Sequence, residues 1–165
     1  MGEVAKLGKC SKDQLSLQVL KRFRVIFGSV RQHFRAVEQN CGVTGAQLWI
    51  MQEVAKKPGI GVTELAGKLS IHQSTCSLLV EKLASRKLVV KERSKEDQRR
   101  VGLRLPQKAV DILKEAPGPA EGILPEALQA LPEPVLQMLN RSLNEVIGQL
   151  RSRDDRLADK PLSDL

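Results

Sequence analysis

The sequence predicts a mainly α-helical chain carrying one small β-hairpin. Two observations lead to this. Through most of the chain apolar residues recur at three- and four-residue spacing, the period of amphipathic helices. One stretch breaks that rhythm: Val101, Leu103 and Leu105 fall on one face, and Arg100, Gly102 and Arg104 on the other. A period of two marks a half-buried strand. Upstream, Leu88-Val89-Val90-Lys91-Glu92-Arg93 can pair with it, leaving 94–98 as the turn.

The helices follow in order. Ser11 with Gln14 has capping-box spacing and opens a first helix. Leu20, Phe23, Phe27, Val30, Phe34 and Val37 stripe it, and Asn40 and Gly42 end it. Thr44 with Gln47 caps a second helix, buried through Leu48, Met51, Val54 and Ala55 and stopped by Lys56-Lys57-Pro58-Gly59. Thr63 is expected to cap a short third helix with Leu65, Ala66 and Leu69 inward. The fourth carries Cys76, Leu79, Val80 and Leu83 on one face. Ser70 and His72 both compete to cap it. A helix-turn-helix needs a three- to four-residue turn, which favours His72. After the hairpin come helices over 106–116 and 125–131, separated by Pro117-Gly118-Pro119, which a helix cannot cross. A last helix over 133–150 has Val135, Leu136, Leu139, Leu143, Val146, Ile147 and Leu150 on a broad apolar face. Residues 151–165 are polar, charged and proline-containing, and are expected to form a flexible tail.

Two short helices followed by a hairpin with an arginine-rich tip make a winged helix-turn-helix, and charge says what it grips. The chain carries a net charge of +8. Between residues 82 and 108 ten Lys/Arg face three Asp/Glu, a net +7 in the wing region alone. A basic patch confined to one element is a footprint for a polyanion. The fourth helix is the expected recognition helix: Ser74, Ser77, Leu78 and Lys82 point away from its core stripe. Gln73, Ser74, Thr75 and Ser77 can contact phosphates or base edges, and Leu78 can meet a thymine methyl. In the wing, Arg93, Lys95, Arg99 and Arg100 supply charge. Arg99 at the tip can enter a minor groove, and Asp97 can orient it by an ion pair.

Other classes fit less well. No catalytic triad, phosphate loop or HExxH pattern is present, so no enzyme is expected. No apolar run approaches the ~18 residues of a membrane span, and residues 1–12 lack the apolar core of a signal peptide; a cytoplasmic protein without membrane partners is expected. Scarce aromatics, with no tyrosine, argue against a stacking surface for single strands. Three cysteines imply no disulfide framework. His72 and Cys76 are four apart, but a capping His beside a core Cys explains them better than a metal; no metal or other cofactor is expected.

The element order resembles the MarR family of bacterial winged-helix regulators over about 43–113. Its most specific part is Asp97-x-Arg99-x-Val101-x-Leu103-x-Leu105, which is similar to that family's wing signature. Val62-Thr63-Glu64-Leu65-Ala66, Ser74-Thr75 and the stretch 83–89 resemble its helix-turn-helix. Pro106 stands where Thr often follows the second wing strand, and Cys76 at a position usually aliphatic. The resemblance implies a homodimer joined by the terminal helices. It also implies binding to a pseudo-palindromic double-stranded operator, usually as a repressor. The expected division is a dimerisation helix over 1–42, a DNA-binding lobe over 43–106, dimerisation helices over 107–150 and the tail. A small aromatic or phenolic anion is the implied signal, with Arg35 and Trp49 as candidate lining. A redox-sensing repressor is the alternative. Cys10, beside Lys9, Lys12 and a helix start, is its candidate thiol, although the tyrosine partners of such sensors are absent. A winged-helix protein-interaction module is the second alternative.

Overall fold

The structure, a computed structural model, describes residues 11–94 and 99–165. It contains seven α-helices and one two-stranded antiparallel sheet among those residues. Helix α1 (Lys12–Cys41) starts at the expected capping box: Ser11 Oγ accepts from the Gln14 N–H, and Gln14 Oε1 accepts from the Ser11 N–H. It ends where Gly42 turns left-handed and donates to the Glu38 carbonyl at 2.9 Å. Thirty residues make a rod of roughly 45 Å. From Ser11 to Ser29 every residue except Phe23 is exposed, so only the last part of α1 meets the rest of the chain.

Helix α2 (Gly45–Lys56) has the Thr44–Gln47 capping box. It approaches α1 so closely that a Cβ on Gly45 would sit 2.4 Å from the Phe34 ring. Helix α3 (Val62–Leu69) is capped by Gly61, not by Thr63 as expected, and no side chain bonds its first turn. The loop after Pro58 is held by the sheet at Ile60, so the chain enters the helix two residues early. Helix α4 (Gln73–Ser85) starts at His72, whose Nδ1 accepts from the Ser74 N–H at 3.3 Å. Ser70 is instead the left-handed end of α3, which settles the ambiguity between the two caps.

The core lies where these helices converge. Val37, Leu48, Ile50, Met51, Val54, Leu65, Leu69, Cys76, Leu79, Val80, Leu83, Leu88 and Val89 are all buried. Each large side chain removed from water contributes about 1.5–3 kcal/mol before entropy is charged against it.

Strands β1 (Val90–Arg93) and β2 (Val101–Arg104) form the wing, with Val90 opposite Arg104 and Arg93 opposite Val101. The expected inward face is realised only at its root. Leu103 is fully buried and Leu105 half-buried, whereas Val101 is exposed because the hairpin has by then left the lobe. A third short segment, which the sequence did not reveal, seats the wing. The Gly59 N–H donates to the Leu103 carbonyl at 2.8 Å, and the Leu103 N–H to the Ile60 carbonyl at 3.0 Å.

Helices α5 (Gln107–Glu115), α6 (Ile123–Gln129) and α7 (Glu133–Gly148) complete the chain as expected, within a few residues. Along α7 only Leu136, Leu139 and Leu143 are even half-buried. The segment 151–165, expected to be a flexible tail, carries local structure. Residues Asp155–Asp159 and Leu162–Asp164 form two 3-10 turns, and the second packs against α2. Composition misses this because local polarity says nothing about a remote backbone donor that a single Ser can satisfy.

Candidate nucleic-acid interface

Helix α4 separates its two faces cleanly. Cys76, Leu79, Val80 and Leu83 go inward, while Gln73, Ser74, Leu78 and Lys82 are exposed and Thr75 and Ser77 half-buried. The six expected contact residues therefore share the outer side of one helix, and Leu78, 64% exposed, is an apolar group held in water. Ser74 Oγ lies 2.8 Å from His72 Nδ1, so the cap also orients the first polar group of that face.

The wing stands beside this helix. Lys91 on β1 forms an ion pair with Glu81 on α4. Arg104 and Glu92 pair across the strands at 2.6 Å. The Ser94 N–H donates to the Arg100 carbonyl at 2.8 Å, closing the base of the tip. Arg93, Arg99 and Arg100 are exposed there. Lys95 and Asp97 lie outside the described residues, as does Cys10.

Between the wing and the start of α3 runs an open groove of about 1020 Å³, lined by Lys57, Thr63, Glu64, Arg93, Arg100 and Gly102 among others. The α3 end that faces it has no side-chain cap, so its backbone N–H groups and partial positive charge favour an anion. Sequence reading missed Lys57 and Thr63 here. Lys57 is the C-cap of α2 and Thr63 lies in the first turn of α3, so only the fold brings both to the groove. Lys57 is tied to Glu64 at 2.7 Å.

Behind this interface, Glu53 of α2 is almost fully buried, with Lys56 at 2.8 Å and Lys68 of α3 at 3.8 Å. The hydrogen bond from Lys56, reinforced by the Glu53 charge, raises the lysine above its usual pKa. This carboxylate links α2 to α3 and so helps set the angle of the helix pair.

The expected ligand residues are not brought together. Arg35 lines a cleft of about 370 Å³ beside α1, with Phe27, Arg31, Phe34 and residues 162, 163 and 165. Trp49 does not line it; the indole is half-buried against the lobe core. Trp49 sits half-buried on α2 against the lobe core, whereas Arg35 is exposed on α1. Both described thiols are pushed up in pKa. Burial takes Cys76 to about 11, and burial with the nearby Glu115 charge raises Cys41. Among the described residues no group of three or more His, Cys, Asp or Glu converges as metal ligands would. None of the described helices is long and apolar enough to cross a membrane.

Residues 42–100 match the MarR family. The HTH-type transcriptional repressor MdtR of Bacillus subtilis (strain 168) is 24% identical over 95 residues, 58% of this chain and 61% of that protein. The match thus spans under two thirds of that relative. Among solved structures, YusO from Bacillus subtilis superposes with a TM-score of 0.53 at 20% identity, covering 85% of this chain and 99% of that one. A MepR variant from S. aureus bound to an oligodeoxyribonucleotide gives 0.50 at 20% identity, covering 81% and 98%. A MarR variant from E. coli complexed with operator DNA gives 0.52 at 19%, covering 81% and 98%. These likenesses show the fold: a mainly helical winged helix-turn-helix.

Proposed function

Taking residues 42–100 as a MarR-family winged-helix lobe, we propose that the protein is a transcriptional regulator that binds double-stranded DNA sequence-specifically and acts as a repressor. The observation that carries this is the alignment of an exposed polar recognition face with an arginine-bearing wing on the same side of α4, tied by the Glu81–Lys91 pair. Gln73, Ser74, Thr75, Ser77 and Leu78 read base edges; Lys82, Arg93, Lys95, Arg99 and Arg100 hold phosphates or the minor groove, and Asp97 orients Arg99.

The working unit is a cytoplasmic homodimer on a pseudo-palindromic site. Leu17, Val25, Ile26 and Phe27 of α1, and Val135, Met138, Ile147 and Leu150 beyond the lobe, stand exposed. A second copy covers such a surface symmetrically. The releasing signal is a small aromatic or phenolic anion seated by Arg35 and Arg31. Oxidation ranks lower, because Cys10, the candidate thiol, has no tyrosine partner in this chain and no second cysteine near it in sequence.

The test is selection of bound duplexes from a random library, followed by salt titration. The parent should return a palindromic preference, and binding should weaken steeply with salt. Arg99→Ala should lower the salt slope by about one, and Ser74→Ala should relax base preference at a cost of about 1–3 kcal/mol per lost contact. Binding that ignores salt would mark a protein-interaction module instead.

A further inference from the structure

We propose that residues 155–165 form an intramolecular strap that packs on α2, ties to the N-cap of the recognition helix and lowers its affinity for DNA. The inference rests on the DNA-binding reading above. Two hydrogen bonds fasten the strap. The Asp159 carbonyl accepts the His72 N–H at 3.1 Å, and Ser163 Oγ accepts the Ala46 N–H, also at 3.1 Å. Residues four apart thus join the cap of α4 to the first turn of α2.

The chemistry sets the sign. Backbone N–H groups at the front of a recognition helix are donors that a DNA phosphate uses. In the docked strap a carbonyl oxygen already occupies the one at His72. The strap also carries Asp155, Asp159 and Asp164 against one Arg and one Lys. Asp154, just ahead of it, is paired with Arg156, whose guanidinium bonds it at 2.7 and 2.8 Å. Asp155 is likewise paired, with Arg153 at 3.5 Å, so the occupied His72 N–H rather than net charge sets the sign.

The grip is weak enough to be reversible. Leu157, Leu162 and Leu165 stay more than 40% exposed while docked. With two hydrogen bonds and little buried area, docked and free forms should differ by on the order of tenfold in population. The strap also supplies one wall of the cleft beside Arg31 and Arg35. An anion that uses this wall binds the docked form selectively and shifts the balance away from DNA.

The experiment compares the full chain with a Leu162→Ser, Ser163→Ala double variant and with a deletion of 155–165. Amide hydrogen exchange at Ala46 and His72 reads docking, and duplex titration at fixed salt reads affinity. Both variants should exchange faster at the two amides and bind duplex about tenfold more tightly. Equal exchange in all three proteins would overturn the docking. Faster exchange with unchanged or weaker DNA binding would overturn the inhibitory role while leaving the DNA reading intact. If no protein binds duplex, the DNA reading itself fails, and the strap's role falls with it.

Discussion

Gly102 is where the wing is most vulnerable. A Cβ built there would stand 2.6 Å from the Gly59 carbonyl oxygen and 2.8 Å from the Gly59 Cα. Real side chains do not approach backbone that closely, and these atoms cannot rotate away. Gly59 is itself held at a φ of +88° and donates to the Leu103 carbonyl. Relief in Gly102→Ala therefore requires the hairpin to lift off Gly59–Ile60. That breaks two backbone hydrogen bonds, at about 1 kcal/mol each, and partly withdraws the fully buried Leu103. Overpacking strain is of similar size, so the sum is about 2–4 kcal/mol. For 165 residues the unfolding entropy makes 1 kcal/mol worth about 3 °C, so Tm should fall by roughly 6–12 °C. Gly67→Ala is the control of opposite sign. That position lies inside α3 with nothing within 4 Å of a new Cβ, and alanine should stabilise the helix by about 0.5–1 kcal/mol. Thermal melts followed by circular dichroism, with duplex titration alongside, would read both. A Gly102→Ala protein melting within about 1 °C of the parent, with unchanged DNA affinity, would refute the close-approach argument.

Three further outcomes follow from the geometry. Replacing both Lys56 and Lys68 by Met should cost more, about 2 kcal/mol, than Glu53→Gln at about 1 kcal/mol, because the lysines can return to water whereas the buried carboxylate cannot; denaturant melts giving the reverse order would refute this. The raised Cys76 thiol contributes stability that is complete below its ordinary value of 9.0 and is lost as pH rises towards about 11. That loss is at most about 2–3 kcal/mol, and Cys76→Ala should flatten the alkaline limb of a stability–pH curve; an unchanged limb would exclude Cys76 as its source. Phe27, stacked on Phe23 at 6.3 Å yet exposed, should sit in the dimer contact. Phe27→Asp should shift sedimentation towards monomer while leaving the lobe folded, and a dimer that persists at micromolar concentration would place the contact elsewhere.

The sequence alone determined the elements whose signals are local. Capping boxes at Ser11 and Thr44 placed two helix starts to the residue, because both partners of each bond lie three apart in the chain. The stripe Cys76, Leu79, Val80 and Leu83 oriented α4, since one face of a helix must be apolar to be buried. Period-two alternation found β2, and charge density identified the wing. Only the tertiary structure decided what depends on groups distant in sequence. Gly59 and Ile60 become a partner for Leu103, which makes Gly102 obligatory and shifts the cap of α3 to Gly61. Arg35 lines a cleft beside α1 while Trp49 packs against the lobe core, because how two helices dock is not written in either helix alone. Residues 151–165 look solvated by composition, yet they dock through Asp159 and Ser163 on His72 and Ala46. Helix and strand patterns repeat along the chain and can be read from it; a hydrogen bond between residues 117 apart leaves no periodic trace.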